Sequence, residues 1–566
     1  MSKIFTCFIY LSLFITLGVN AQNVDIEKLT KKDRLKINGA FNANTVYNSQ
    51  RFQGMPPLSY FLSGTINFSI WDFQMPLVVN YSNRKFTYSQ PFSYNFVSLR
   101  PTYKWASAEI GTGYTTFSPY SLNGHQYQGI GLKLTPQKWD ISLMYGRLFK
   151  SNNGDAANPS NYKRMGMGLK TVYRGDKYSL GFTLFNADDQ VNSLSISDSL
   201  KPQPKENMVV GLEFGTTLLR RFQLSVDYHS SSINPDKNQI GISNNSNKAI
   251  SALFLNRNSN VQSYESYKIG LNTNLIKTNT LVGISFQKVD PDYTTFGGYY
   301  FVNNFQNLTL NLTQNFFKNK VSLAANAGFQ QDNIMPQQSS TQNRFVGNLD
   351  LGVRPTEKLN INFSFSNFTS YSFIRTAFDE IRKLNPFEQL DTLNYRQINQ
   401  SLSTNINYDF EKTEDTQKGI HFDLAVMQSV NRQGEIVRLG QKSGFINSNI
   451  LYSQSAIRKG QGTSLGLNTS INTVGIENSY SVGPIANLQK NFIKNKLITN
   501  SSLSYVYSRD TASKSNAGAA NIRATASYNI DKFQTLTCNL GVSSIKSSGY
   551  DNKTFVSLTL GYSSRF

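Results

Sequence analysis

The sequence predicts an all-β protein: a single transmembrane antiparallel up-and-down β-barrel of about 26 strands, within a range of 24–28. Three observations lead there. Apolar side chains recur at every second position along nearly the whole chain after residue 35, the period of an extended strand with one oily and one wet face. The connections alternate between tight polar turns and long loops. The composition is also bland: 566 residues, 39% hydrophobic, 13% aromatic, with a mean hydropathy of −0.37. An apolar outer face and a polar inner face cancel within each strand of such a barrel, so a low average is what it produces. A chain of this length exceeds one ordinary soluble core, yet no segment reads as a separate folded domain.

The N-terminus is read first. Lys3 supplies a basic start, Ile4 to Leu17 form a short apolar run, and Val19-Asn20-Ala21 offer a small-residue cleavage site before Gln22. Residues 1–21 are therefore expected to be a secretory signal peptide. The alternative, a membrane anchor, lacks a basic stop-transfer flank. Cys7 leaves with the signal, so Cys538 has no partner and neither an internal disulfide nor a Cys-based metal site is expected. Residues 22–34 (QNVDIEKLTKKDR) form a short periplasmic lead-in, too brief for a folded plug domain.

The barrel is assigned to residues 35–566. Leu35, Ile37, Phe41 and Tyr47 share one face of the first strand, with Lys36, Asn38, Asn42 and Asn44 on the other. Later cases are Leu308, Leu310 and Leu312 against Asn307, Thr309 and Asn311, and Leu359, Ile361, Phe363 and Phe365 against Asn360, Asn362 and Ser364. Tight turns fall at 135–138, 174–177, 317–320, 355–358, 493–496 and 530–533. Longer loops fall near 150–163, 189–205, 232–264, 290–304, 331–342 and 370–396. Short turns belong on the periplasmic rim and long loops outside. The Arg-Gly-Asp at 174–176 is then a hairpin turn. Segment 246–257 fits either a strand or a loop. Tyr114-Thr115-Thr116-Phe117 recurs as Tyr293-Thr294-Thr295-Phe296, a short self-similarity.

The last strand, residues 553–566, ends on an aromatic carboxy-terminus after Leu558, Leu560 and Tyr562 at alternate positions. This resembles the assembly signal of bacterial outer-membrane barrels, with Phe566 as its terminal aromatic and Ser564 as a departure. The Asn- and Tyr-rich texture is similar to large, plugless, porin-like barrels of Gram-negative Bacteroidota. The resemblance implies residence in the outer membrane among lipid and lipopolysaccharide, insertion by the barrel-assembly machinery, and contact with other cell-surface or secretion proteins in some members. It carries over no functional residues. The formal charge of +21 comes from singly scattered Lys and Arg with no nucleic-acid motif, so no nucleic-acid partner is expected.

No catalytic residue, cofactor site or metal site is predicted. The three histidines, His125, His229 and His421, have no ligand spacing. Asp227 and His229 alternate with Ser230 and so face away from it, which leaves no triad. Strand parity turns Arg84, Arg100, Lys104, Lys133, Lys170, Lys268, Arg344, Arg354 and Arg523 inward, with Glu109, Glu213, Asp227, Asp350 and Asp423 as the acidic minority. A basic surplus on a pore wall favours anions, unless these charges neutralise one another. Residues 374–384 have helical spacing and are expected to form a lid or constriction carrying Arg375, Phe378, Asp379, Glu380 and Arg382; an outward fold toward a partner or the membrane surface is the alternative. The aromatic stretches 117–129 and 293–305 are expected at the interfacial girdle, or farther out as sugar-stacking platforms. Closing about 26 strands gives a diameter of roughly 50 Å, too wide for side chains to fill. The expected function is a loop-gated channel for solutes or polymer with a basic lumen. The alternative is a non-enzymatic barrel that anchors or houses components of a surface or secretion complex.

Overall fold

A computed structural model describes residues 35–49, 56–83, 95–154, 159–238, 249–255, 261–299, 301–332, 334, 342–367, 397–433, 436–475, 477–511, 514–549 and 551–566. The signal peptide, the lead-in 22–34, Arg84 and the lid residues Arg375, Phe378, Asp379, Glu380 and Arg382 lie outside these residues.

All strands join one antiparallel sheet of 27 hydrogen-bonded segments. Two of these, Phe96–Leu99 and Thr102–Tyr103, pair with the same two neighbours, Phe73–Ser82 and Ala106–Tyr114. They are one crossing interrupted at Arg100-Pro101, where proline removes a ladder donor, so the barrel has 26 strands. Each strand pairs with the next in sequence, and the first pairs with the last from Ala40↔Arg565 to Asn48↔Ser557. Gly39 and Phe566 exchange backbone hydrogen bonds of 2.8 and 3.0 Å at the end of that seam. The Phe566 ring lies so close over Gly39 that a Cβ there would meet it at 2.6 Å. Closure leaves no open sheet edge. Among the described residues the only helical pieces are 3₁₀ turns.

The alternation read from the sequence decides the two faces. Leu310, Phe329, Phe345, Leu465, Leu503 and Ile522 are all more than half exposed and all on the outer face. A closed sheet that satisfies every backbone group internally and exposes a continuous apolar exterior is built for lipid. The protein is an outer-membrane β-barrel. Polar residues such as Asn307, Thr309 and Asn311 alternate with the apolar ones and occupy the lumenal face.

The short turns use left-handed backbone: Phe317, Lys318 and Asn319 have φ of 52°, 55° and 68°, and Ile493, Lys494 and Asn495 repeat this with 52°, 50° and 66°. The described residues of segment 246–257, 249–255, add no strand. They form a 3₁₀ turn, Ile250–Phe254, on the outer wall. Ser251 is hydrogen-bonded there to Ser230 and Ser232 at 2.7 and 2.6 Å, while Leu255 and Val261 cover Met208 and Val210.

Burial is lopsided. Every buried apolar side chain among the described residues lies between Phe117 and Val346. What fills that side of the barrel is the candidate site.

Candidate functional site

Two loops, residues 115–125 and 290–304, turn into the lumen instead of outward. The first is folded on itself: the Phe117 amide donates to the Leu122 carbonyl at 2.8 Å, and the Ser118 and Ser121 hydroxyls lie 2.8 Å apart. The second docks on it. Tyr293 donates its hydroxyl proton to the Tyr120 carbonyl, Thr295 donates to the Ser121 carbonyl, and the Asn123 amide donates to the Gly297 carbonyl, each at 2.8 Å. Gly297 permits this contact, because a Cβ there would sit 2.6 Å from the Ser121 oxygen. The two copies of Tyr-Thr-Thr-Phe are thus brought together, with Phe296 packed against the cluster that contains Phe117.

The paired loops are fastened to the wall by polar side chains on the lumenal face. Lys170 donates to the Phe117 carbonyl at 2.6 Å and pairs with Glu213 at 2.7 Å. His229 Nε2 is 2.9 Å from the Ser118 hydroxyl. Asn207 accepts from the Phe296 amide at 3.0 Å, Ser231 donates to the Thr294 carbonyl at 2.6 Å, and Gln287 donates to the Tyr120 hydroxyl at 2.8 Å. Arg164 reaches Asp189 through two nitrogens, at 2.8 and 3.1 Å, with its guanidinium 3.8 Å from the Phe296 ring centre. Apolar packing supplies the rest, since Leu122 of the first loop is fully buried together with Phe185 and Val209 of the wall.

Burial also sets protonation in the loops. His125 is stacked on Tyr299 with ring centres 4.1 Å apart, and its Nδ1 lies 2.7 Å from the Gln126 carbonyl. Desolvation pushes its pKa down to about 4, against the Gln126 carbonyl and with help from Arg164. The ring is neutral at pH 7 and donates from Nδ1. Desolvation raises the phenols of Tyr120 and Tyr293, so both stay protonated and donate or accept as neutral groups.

The remaining sequence-predicted residues are dispersed. Arg100 pairs with Glu109 at 2.8 Å, and Glu109 also accepts from Tyr127. Lys268 faces Asp227 across adjacent strands. Lys133 and Arg523, expected to face inward, form no ion pair with a described residue. Asp350 accepts from Ser364 at 2.6 Å, and Arg354 donates to Asn360 at 2.9 Å. Arg344 stands opposite Gln330. Asp423 bonds Asn405, and His421 bridges Asn407 and Ser453 at 2.6 and 2.8 Å.

Two expectations are corrected here. Lys104 is not on a strand face: it occupies the two-residue rim turn between Tyr103 and Ala106, with φ 48° and its Nζ 3.8 Å from Asp72. The aromatic stretches 117–129 and 293–305 are neither girdle nor outer platform, since Phe117, Tyr120, Tyr127 and Tyr293 are buried inside the barrel. Ser230 does face away from His229, as alternation requires, but His229 meets a different serine, Ser118. Both members of that pair are buried and no carboxylate bonds the ring, so it reads as a fastening.

No family model and no curated protein matches the chain. Similar solved structures exist. One is an E. coli P pilus tip assembly intermediate, PapC-PapD-PapK-PapG, with 12% identity over 94% of this chain and 61% of that chain and a TM-score of 0.45. The P pilus usher PapC translocation pore follows at 11% over 94% and 99%, TM-score 0.39. The copper transporter OprC stands at 10% over 95% and 82%, TM-score 0.39. The chain spans about three-fifths of the first of these. Likeness at this level says nothing about cargo or partner.

Proposed function

We propose that the protein is a non-enzymatic outer-membrane channel whose lumen is narrowed from one side by the paired loops 115–125 and 290–304. The observation that carries this reading is the contrast in how the lumen is lined. The loops are held to the wall by discrete polar fastenings, while the facing wall keeps an uncovered surface of amides and hydroxyls suited to water and hydrophilic solutes. On the uncovered wall Arg354 and Arg523 attract anions locally, opposed by the carboxylates of Asp350 and Asp423.

Conductance of the purified chain in planar bilayers tests the reading. Steps of an open channel are expected, larger when residues 370–396 are deleted. A bilayer that stays closed to ions in both cases, with both proteins folded, would overturn it in favour of a barrel that anchors components of a surface complex.

A further inference from the structure

The outer wall of the barrel carries a groove of about 680 Å³ whose lining is almost wholly apolar. Alternation explains its shape. One register row runs Trp139, Tyr173, Leu180, Phe214, Val226 and the next runs through Thr171, Phe182, Leu212 and Tyr228. The short Thr171 lies between bulky neighbours and opens the floor, where the sheet backbone at Gly181 is reached. All of these side chains belong to the face that meets lipid.

The groove ends at the short-turn rim, where Trp139 and Tyr173 rings meet at 4.9 Å. Three neighbouring turns lie just below. Their cations are Lys138, Arg174, Lys177, Arg220 and Arg221. Lys138 is paired with Asp176 at 2.7 Å and Arg174 with Asp140 at 3.2 Å. Lys177, Arg220 and Arg221 form no ion pair with a described residue, so the rim keeps a positive surplus directly under an apolar slot.

We propose that this groove binds one anionic phospholipid of the periplasmic leaflet. An acyl chain lies in the slot between Phe182, Leu212 and Phe214, and the phosphate is held by the turn cations. The volume falls in the ~300–1,000 Å³ range of small-molecule sites. Arginine and lysine at a membrane surface attract anionic headgroups, and arginine's fork matches phosphate oxygens. The aromatic pair at the rim marks the headgroup level. The inference rests on the membrane placement above, with the short turns periplasmic.

The test uses the full chain, purified in mild detergent, reconstituted with equal phosphatidylglycerol and phosphatidylethanolamine, delipidated by repeated exchange and analysed by native mass spectrometry. One retained phosphatidylglycerol per chain is expected, with at least fivefold preference over phosphatidylethanolamine. Thr171→Trp fills the floor and should reduce retention of either lipid at least fivefold. The triple variant Lys177→Gln, Arg220→Gln, Arg221→Gln, confined to exposed turns, should erase the preference while the slot still takes a chain. Equal retention of the two lipids by the unmodified chain, or undiminished retention by Thr171→Trp, would overturn the proposal, as would a co-purifying peptide in the slot. Heat-modifiable mobility checks the fold of each variant. Conductance measured on the same samples keeps the two readings separate: lipid capture without conductance would sink the channel and leave the site.

Discussion

The two arcs of this barrel share one sheet and one alternation, yet they treat the lumen differently. From Ala106 to Gln330 the inner face is covered by folded loops, and side chains such as Phe185 and His229 are sealed from water. From Gln461 to Arg565 the inner face is an open lattice of polar pairs: Asn487 to Ser464 at 3.0 Å and Ser543 to Asn521 at 2.7 Å. The difference lies in what stands at alternate positions. On the covered arc, glycines make room: a Cβ at Gly168 would meet the Phe117 ring at 2.3 Å, and one at Gly211 the His229 ring at 2.5 Å. On the open arc the same face carries amides and hydroxyls whose needs are met sideways, along the wall. A lumen wall thus becomes a docking surface when small residues and a few oriented polar groups replace a continuous polar lattice.

The largest expected effect falls on the seam where the open arc meets the first strand. Deleting Phe566 removes the backbone pair with Gly39 and the ring that covers it, and should reduce the yield of heat-modifiable barrel in the outer membrane several-fold. Normal yield of protease-resistant barrel would show that closure does not depend on this residue.

Next comes the covered arc itself. Gly168→Leu forces Phe117 from its seat, an overpacking cost of about 1–3 kcal/mol, and should free loop 115–125. Chymotrypsin cleavage within the loop, at Phe117, Tyr120 or Leu122, and an increase in mean conductance are the readouts. Gly462→Leu is the control on the open arc, since a Cβ there meets nothing closer than 3.8 Å, and it should change neither. Equal effects at the two glycines would dissolve the distinction between the arcs.

Lys170→Met should follow. It removes the donor to the Phe117 carbonyl and leaves Glu213 half-buried without its partner, a loss of about 2 kcal/mol at most once the side chains' partial exposure is discounted. Faster hydrogen exchange in residues 115–125, with the strand amides unchanged, is the outcome that checks it.

The pH response is smaller. His125 has its folded pKa depressed to about 4 from an ordinary 6.5, so the unfolded or released loop takes up a proton first as pH falls. The neutral ring's contribution is fully present above pH 6.5 and is lost progressively down to about pH 4. Loop 115–125 should therefore loosen between those values, and His125→Gln should flatten the response. A loop equally protected at pH 4.5 and 7.5 in the unmodified protein would remove His125 from the fastening.

Much of the barrel was legible in the residues, because a period of two is a local signal that any strand writes into its own sequence. Leu308 to Leu312 and Leu558 to Tyr562 needed no partner to be recognised. Lys104 escaped the same reading, because the chain turns between Tyr103 and Ala106 and parity has no meaning beyond the strand's end. The plug was illegible for a different reason. Aromatic loop residues have the same composition at a lipid girdle and in a lumenal core, and only the width of the barrel and distant glycines such as Gly168 and Gly211 decide between them. One signal did exist: the repeated Tyr-Thr-Thr-Phe marked the two segments that meet. The lid expected at 374–384 lies outside the described residues, so the constriction assigned here is made by other loops.

The smallest effect belongs to the charges on the wall that the loops leave uncovered, and its size follows from geometry. Arg354 and Arg523 stand on the wall of a barrel roughly 50 Å across, whereas the Debye length is about 8 Å at 0.15 M salt. Their fields decay before reaching the middle of the path, and an ion there passes without sensing them. At 0.01 M the Debye length rises to about 30 Å, comparable to the radius, and the same charges act across the lumen. Replacing both by glutamine should leave the reversal potential in a salt gradient unchanged at high ionic strength and shift it toward cation preference at low ionic strength. A shift of equal size at both would place these arginines at a constriction, where the wall comes within a Debye length of the ion, and would move the narrowing from the covered arc to the uncovered wall.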